Sequence, residues 1–369
     1  MLTACLTLMI AGFVICWPGV WVCRRMAKWL GQVDKPGERK IHVEPTPVTG
    51  GIAIFWAMVL PMLVLLAGAW WAPESWWRRL APDAMIYLQG VRETTKLAFG
   101  FLTCLGGLHL VGIVDDRVNL GPFVKMVVQL AAAGVMAMGF DVRVLEMLGP
   151  TGSIVVTVLW FAAITNAFNF MDNMDGLSAG VATICAGIFL AAAVLGEQWF
   201  VAGVLALLIG ALVAFLCFNF PPASIFMGDG GSLVIGFVLA FCSLRLTYVE
   251  LPPGAIEREG SRWWALLTPV VVLAIPLYDL TSVTLLRLRQ GRSPFRGDTQ
   301  HFSHRLVRRG LSRPAAVGVI YACTLATGLG GVMLGRVAQW QAGVIFAQTL
   351  AIVLVVGLME RGGVRKEEL

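Results

Sequence analysis

The run Trp199-Phe-Val-Ala-Gly-Val-Leu-Ala-Leu-Leu-Ile-Gly-Ala-Leu-Val-Ala-Phe-Leu-Cys-Phe-Asn219 carries no charged residue. A helix needs about 20 apolar residues to cross the hydrocarbon core of a bilayer, and this stretch supplies them. Ten further stretches of the same kind lie at 2–22, 50–72, 96–114, 122–140, 152–168, 177–196, 231–249, 264–286, 315–335 and 341–359. The whole chain agrees with them. Of its 369 residues 58% are hydrophobic and 14% charged, whereas soluble domains carry roughly a quarter charged residues. The mean hydropathy is +0.79. A water-soluble globular enzyme is excluded, and intrinsic disorder needs the opposite composition. We therefore expect an all-α polytopic integral membrane helical bundle of about eleven transmembrane helices, a single membrane-embedded domain over residues 1–369.

Three remaining features are read in the same frame. Residues 73–95 mix Trp76, Trp77, Arg78, Arg79 and Tyr87, a pattern suited to the membrane interface and not to a twelfth span. The stretch from Met1 to Val22 has no basic residue before it and Arg24, Arg25 and Lys28 after it, so it reads as a retained first span and not a cleaved signal. The eight cysteines all sit in or beside apolar runs with no C-x-x-C pair, and are expected to be apolar filler. The net charge of +6 points to loops lying on an anionic leaflet, not to nucleic acid.

Orientation follows from the basic residues. Lys and Arg crowd the loops 24–49 and 287–314 and the tail 360–369, while the loops on the other side, at 73–96, 141–151, 250–263 and 336–340, hold fewer than half as many. The positive-inside rule then places the N-terminus outside and the C-terminus in the cytoplasm. The cytoplasmic loops 24–49, 115–121, 169–176, 220–230 and 287–314 would form one face.

That face collects the chemistry. Asp115 and Asp116 end one span, and another runs into Asn166-Ala-Phe-Asn-Phe-Met-Asp-Asn-Met-Asp175-Gly-Leu. Asn219 is followed by Phe226-Met-Gly-Asp229-Gly-Gly-Ser232, and a later loop carries His301-Phe-Ser-His304-Arg305-Leu. The loops holding Asp172, Asp175 and Asp229 contain no basic residue. Carboxylates close together without an ion-pair partner call for a cation, and oxygen-only ligands favour Mg²⁺ or Mn²⁺ over zinc. We expect Asp229 as the principal ligand, with Asp115 assisting. The arginines, histidines and Lys125 suit phosphates. Acids for a metal beside bases for phosphate, at a membrane surface, indicate phosphoryl-group chemistry on a lipid.

Spacing adds detail. Asn166, Asn169 and Asp172 are three apart and share one face if the helix continues to its end. Asp115 and Asp116 are about 100° apart on a helix and should have different tasks. Gly228, Gly230 and Gly231 flank Asp229 where free backbone N–H groups could cradle a phosphate. Asp175, before Gly176, could cap the next helix, and His109, inside its span, reads as a hydrogen-bonded packing residue. Asp279, near the inner end of its span, should face the bundle interior. Lys40, His42 and Thr46 lie in a polar, proline-punctuated loop ending in Gly50-Gly51, and are expected to hold or cover a nucleotide.

Taken in order from Asp34 to Arg313, these motifs resemble the polyprenyl-phosphate N-acetylhexosamine-1-phosphate transferases. The resemblance rests on Arg39-to-Gly51, Gly112-Ile-Val-Asp-Asp116, Asn166-to-Leu177, Phe226-to-Ser232, Pro276-Leu-Tyr-Asp279 and His301-to-Leu306. It implies a helical membrane enzyme with a cytoplasmic cleft in the cell (inner or plasma) membrane. The reaction implied is transfer of a sugar-1-phosphate from a UDP-N-acetylhexosamine to undecaprenyl or another polyprenyl phosphate, releasing UMP and needing Mg²⁺. This would be the first membrane step of a cell-envelope polysaccharide pathway. By the resemblance Asp229 binds metal, and Asp115 and Asp116 lie beside the diphosphate and lipid phosphate. Asn169, Asp172 and Asp175 contact the nucleotide, together with Asn166 on the same run, and Asn219 and Phe226 lie near the nucleoside. His301 and His304, with Arg305, supply the catalytic loop.

Three positions depart from the family pattern: Ser303 stands where the middle histidine of H-x-H-H-R is usual, Asn173 where a glycine is commoner, and Gly230 where a small hydroxyl or alanine is usual. The absence of three consecutive histidines favours a GlcNAc-1-phosphate donor over the phospho-MurNAc-pentapeptide branch. A secondary transporter is the rival from another class, and the sequence leaves dimerisation open.

Overall fold

The computed structural model describes residues 2–34, 45–80, 85–247, 263–293 and 300–361. Apolar runs become helices throughout, because a backbone in lipid must satisfy its own hydrogen bonds. In chain order these are α1 (Leu2–Leu30), α2 (Gly50–Trp71), α3 (Glu74–Leu80), α4 (Met85–Glu93), α5 (Thr95–Val118), α6 (Pro122–Gly134) and α7 (Gly149–Met171). There follow α8 (Leu177–Leu195), α9 (Trp199–Asn219), α10 (Asp229–Thr247), α11 (Thr268–Val272), α12 (Ala274–Arg289), α13 (Phe302–Arg308), α14 (Arg313–Gly328) and α15 (Gln339–Arg361). Among the described residues ten helical segments are long and apolar enough to cross a membrane, and the bent pair that includes α11 and α12 makes eleven if it is counted as one span. Each expected span thus has a helical counterpart. The interfacial reading of 73–95 corresponds to the short helices α3 and α4.

The ninth span departs from a straight rod. Trp263–Val272 and Ala274–Arg289 meet at 68°. Pro276 is the cause: it has no N–H to bond the carbonyl of Val272 and its ring obstructs the preceding turn. The freed Val272 oxygen instead accepts the thiol of Cys185 at 3.5 Å.

Helix α10 lies at the centre, packed by α2, α5, α7, α8 and α9. Its two serines are matched inside the bundle: Ser232 accepts from Asn169, and Ser243 accepts from the Trp160 indole and donates to the Ala240 carbonyl. Small residues allow the closest crossings, as in other membrane bundles. A Cβ on Gly112 of α5 would lie 2.5 Å from the Asp229 carbonyl, and one on Gly51 of α2 would lie 2.2 Å from the Gly231 nitrogen. Three helices, α2, α5 and α10, thus meet at the first turn of α10.

The segment before α2 belongs to the same junction. Val33–Asp34 pairs antiparallel with Thr46–Pro47, bringing Asp34 opposite Thr46. Pro47 accepts the N–H of Phe226 at 2.8 Å, and Phe226 and Met227 accept those of Gly50 and Gly51 at 2.9 Å. Gln32 reaches the Ile113 carbonyl near the end of α5 at 3.0 Å.

Replacing Gly112 with alanine should push α5 off α10, costing about 1–3 kcal/mol as overpacking does. Gly107→Ala is the control on the same helix. No atom lies within 4 Å of its added Cβ, and alanine there should gain about 0.5–1 kcal/mol in helix propensity. Thermal unfolding of the detergent-solubilised protein should move in opposite directions for the two variants.

Candidate active site

Asp115, Lys125, Asn169 and Asp229 come from four helices, α5, α6, α7 and α10, and meet at one end of the bundle. Lys125 Nζ donates to Asp115 Oδ2 at 2.9 Å and to Asp229 Oδ2 at 2.5 Å. Asn169 Nδ2 donates to the other oxygen of Asp229 and to Ser232 Oγ, both at 2.9 Å. The expectation that Asp229 lacks an ion-pair partner is therefore corrected. Its own loop holds no base, but Lys125 reaches it from 104 positions away in sequence.

Asp116 performs a different task from Asp115. Its carboxylate accepts the N–H of Asp229 at 2.7 Å and of Gly230 at 3.0 Å, capping α10 from another helix. The N–H groups of Gly231 and Ser232 go to the Gly228 carbonyl at 3.1 and 3.0 Å. This overturns the expected phosphate cradle, because all four leading N–H groups of α10 are already used. Gly228 makes the turn possible at φ +71, with a Cβ there only 2.5 Å from Asp116 Oδ2.

The end of α7 divides its polar residues. Asn166 donates to Gln129 Oε1 at 2.6 Å, and Asn169 holds Asp229 as above. Asp172 falls one residue past the helix end, so the shared face ends at Asn169. Burial, then the charges of Asp229 and Asp116, push the Asp172 carboxyl up to about 8. Asp175 does not cap α8; it accepts the Ala223 N–H at 3.0 Å. Asn219 is buried and its amide is spent on two loops, accepting from Gly176 N–H at 3.0 Å and donating to Ile225 O at 2.9 Å. Asp175 and Asn219 thus tie the loops 172–176 and 220–225 together. Thr46 lies in the short strand pair and Phe226 is joined to it through its N–H on Pro47, whereas Lys40 and His42 lie outside the described residues. His109 is a packing residue, its Nδ1–H on the Gly230 carbonyl at 2.7 Å and its ring stacked on Phe55 at 4.0 Å.

A second group sits beside the first. Asp279, buried on α12, accepts from His301 Nδ1 at 3.0 Å and from the Phe302 N–H at 2.6 Å. His301 packs edge-on against Phe170 at 5.6 Å, and the buried Arg287 guanidinium lies 5.2 Å over that ring. His304 is half-buried, and burial, with His301 and Arg308 nearby, holds its pKa below the usual imidazole value. Arg305 points elsewhere: its guanidinium pairs with Glu360 at 3.0 Å and donates to Ser282 at 2.7 Å and to the Gln300 carbonyl. That geometry makes it a latch between α13 and α15.

Sequence reading did not single out Gln129, Ser232 or Arg287. The signal for Gln129 is its place four residues after Lys125, two polar side chains on one face of an apolar helix. Ser232 and Arg287 carry no such signal; only packing shows their partners.

The donor set at Asp115 and Asp229 fits a hard divalent cation. Asp115 Oδ1 is buried without a hydrogen-bond partner, and both carboxylates converge on one positive charge. Among the described residues no group of three His, Cys, Asp or Glu side chains forms a ready-made cage. Mg²⁺ is usually held by one or two carboxylates, with water and phosphate oxygens completing its shell.

Residues 98–247 match the family described as glycosyl transferase family 4. The chain is 34% identical over 321 residues to the decaprenyl-phosphate N-acetylglucosaminephosphotransferase of Mycobacterium tuberculosis, covering 81% of this chain and 74% of that protein. It is 31% identical over 366 residues to the enzyme of the same name from Mycolicibacterium smegmatis, covering 92% and 84%. With the undecaprenyl-phosphate alpha-N-acetylglucosaminyl 1-phosphate transferase of Escherichia coli K12 it shares 28% over 327 residues, covering 84% and 79%.

Asp116→Ala should strand two N–H groups of α10 and cost about 1–2 kcal/mol, as losing a helix cap does. Asp116→Asn keeps one acceptor and should recover no more than half of the loss. Thermal unfolding of the two variants measures this directly.

Proposed function

The chain belongs to glycosyl transferase family 4, and from that premise we propose that it transfers N-acetylglucosamine-1-phosphate from the UDP-sugar to a polyprenyl phosphate, releasing UMP. The observation that carries the reading is the Lys125 ammonium held between Asp115 and Asp229 at the start of α10. One cation between two carboxylates at a bundle end suits a site that handles phosphates and a metal together. The basic loops support a reading in which this end faces the cytoplasm at the inner or plasma membrane, where a soluble nucleotide sugar and a membrane-borne acceptor would meet.

Each residue has a part in the proposed reaction. A Mg²⁺ ion, or Mn²⁺ in its place, when bound supplies charge neutralisation at the diphosphate, with Asp229 and Asp115 as its protein ligands. Lys125 has three N–H donors; two are on the aspartates, and the third is available to a phosphate oxygen. Asn169 keeps the Asp229 carboxylate in its orientation. Asp116 is committed to the cap, so both of its oxygens are spent on the α10 N–H groups and not on the acceptor. His301, oriented by Asp279, would donate through its other nitrogen toward the developing negative charge, with His304 beside it. The acceptor phosphate, with a second pKa of about 6, is already largely anionic at neutral pH. It needs positioning more than activation, so direct attack on the β-phosphorus is favoured over a covalent aspartyl intermediate.

Purified protein should release UMP from UDP-N-acetylglucosamine only when polyprenyl phosphate is present. UDP-GalNAc and UDP-MurNAc-pentapeptide should be poorer donors. Asp229→Asn should lower turnover by about 10²–10³-fold, the usual cost of losing one charge-stabilising group, while melting near the parent temperature. With the donor labelled at its β-phosphate and no acceptor lipid, the protein should stay unlabelled; a stoichiometric burst of UMP with label on an aspartate would overturn direct transfer.

A further inference from the structure

We propose that Ser303 and Asn173 act as one positioning pair, docking the histidine helix α13 onto the end of α7. Ser303 Oγ donates to Asn173 Oδ1 at 2.6 Å, across 130 positions of sequence. Asn173 Nδ2 donates in turn to the Phe170 carbonyl at 2.6 Å. Both ends of the amide are therefore engaged, which fixes its orientation. Ser303 is 1% exposed, so its hydroxyl needs an internal partner and Asn173 supplies it.

The position of the pair gives it a function. Ser303 lies between His301 and His304 on a helix of seven residues, far too short to be stable alone. Tertiary anchors must hold it. Asp279 holds its first turn through His301 and the Phe302 N–H, and Asn173 holds the next residue. Asn173 is also next to Asp172 and four residues past Asn169, the residue that orients Asp229. The joint therefore ties the imidazoles to the same helix end that orients the acidic group.

A buried Ser303 side chain against Asn173 leaves no volume for an imidazole, whereas removing the Asn173 side chain opens that space. Exchanges that conserve volume are the ones a packed site tolerates.

The inference rests on the transferase reading, and a mutant cycle tests it in purified full-length protein with UDP-N-acetylglucosamine and polyprenyl phosphate. Ser303→Ala and Asn173→Ala should each lower kcat about tenfold with the donor KM little changed, and the double variant should be no worse than the poorer single, as coupled neighbours behave. Ser303→Thr, which keeps the hydroxyl, should retain most turnover. Ser303→His alone should fall below Ser303→Ala, and adding Asn173→Gly should restore it. If Ser303→His does not fold, recovery of folded protein by the second change counts as the same result. Multiplicative single effects, or no recovery in the exchanged pair, would overturn the proposal. Should the parent protein release no UMP, the transferase reading fails by itself, and thermal unfolding of the same variants still reads the coupling.

Discussion

The carboxylate of Asp116 on the first two N–H groups of α10 is the contact from which the rest of the site follows. A helix leaves four N–H groups unpaired at its start, and the first turn of α10 is pressed closely by α5 and α2. Side chains and the preceding turn must supply the acceptors. Gly228 bends back to serve two, and Asp116 serves the other two. Because Asp116 belongs to α5, the cap also locks two spans together. The lock requires a bare backbone at Gly112, and it sets the adjacent Asp115 beside Asp229.

From there charge decides the arrangement. Two carboxylates in a half-buried place repel unless a positive group lies between them. Lys125 is that group, a flexible stem carrying a compact charge. Its reach brings α6 into the site, and its side chain is more shielded than a surface lysine. Asn169 completes the set from α7. The result is a site whose members each restrain another, the condition under which electrostatic stabilisation is cheap at the moment of reaction.

The neighbouring polar residues show how many side chains such a site needs merely to stay in place. Asp175 and Asn219 join loops, Asp279 fixes a histidine, and Arg305 latches the last helix. Each satisfies a backbone or charged group that the surrounding apolar bundle cannot. By type alone they are indistinguishable from substrate-contacting residues. Their hydrogen-bond partners separate the two kinds, since an amide with both ends used has little left for a ligand.

The amino-acid sequence by itself determined the bundle, its eleven spans and the set of residues that gather at one end, because hydrophobic length and loop charge are local properties that survive without coordinates. It also carried the family, through short motifs kept in order. Only the tertiary structure decided how those residues divide their work. Lys125 and Asp229 are 104 positions apart and Ser303 and Asn173 are 130 apart, and no local period announces either contact. The same reason explains the phosphate cradle that the glycines around Asp229 suggested. Whether a helix start offers free N–H groups depends on what another helix places against it, and here that is Asp116.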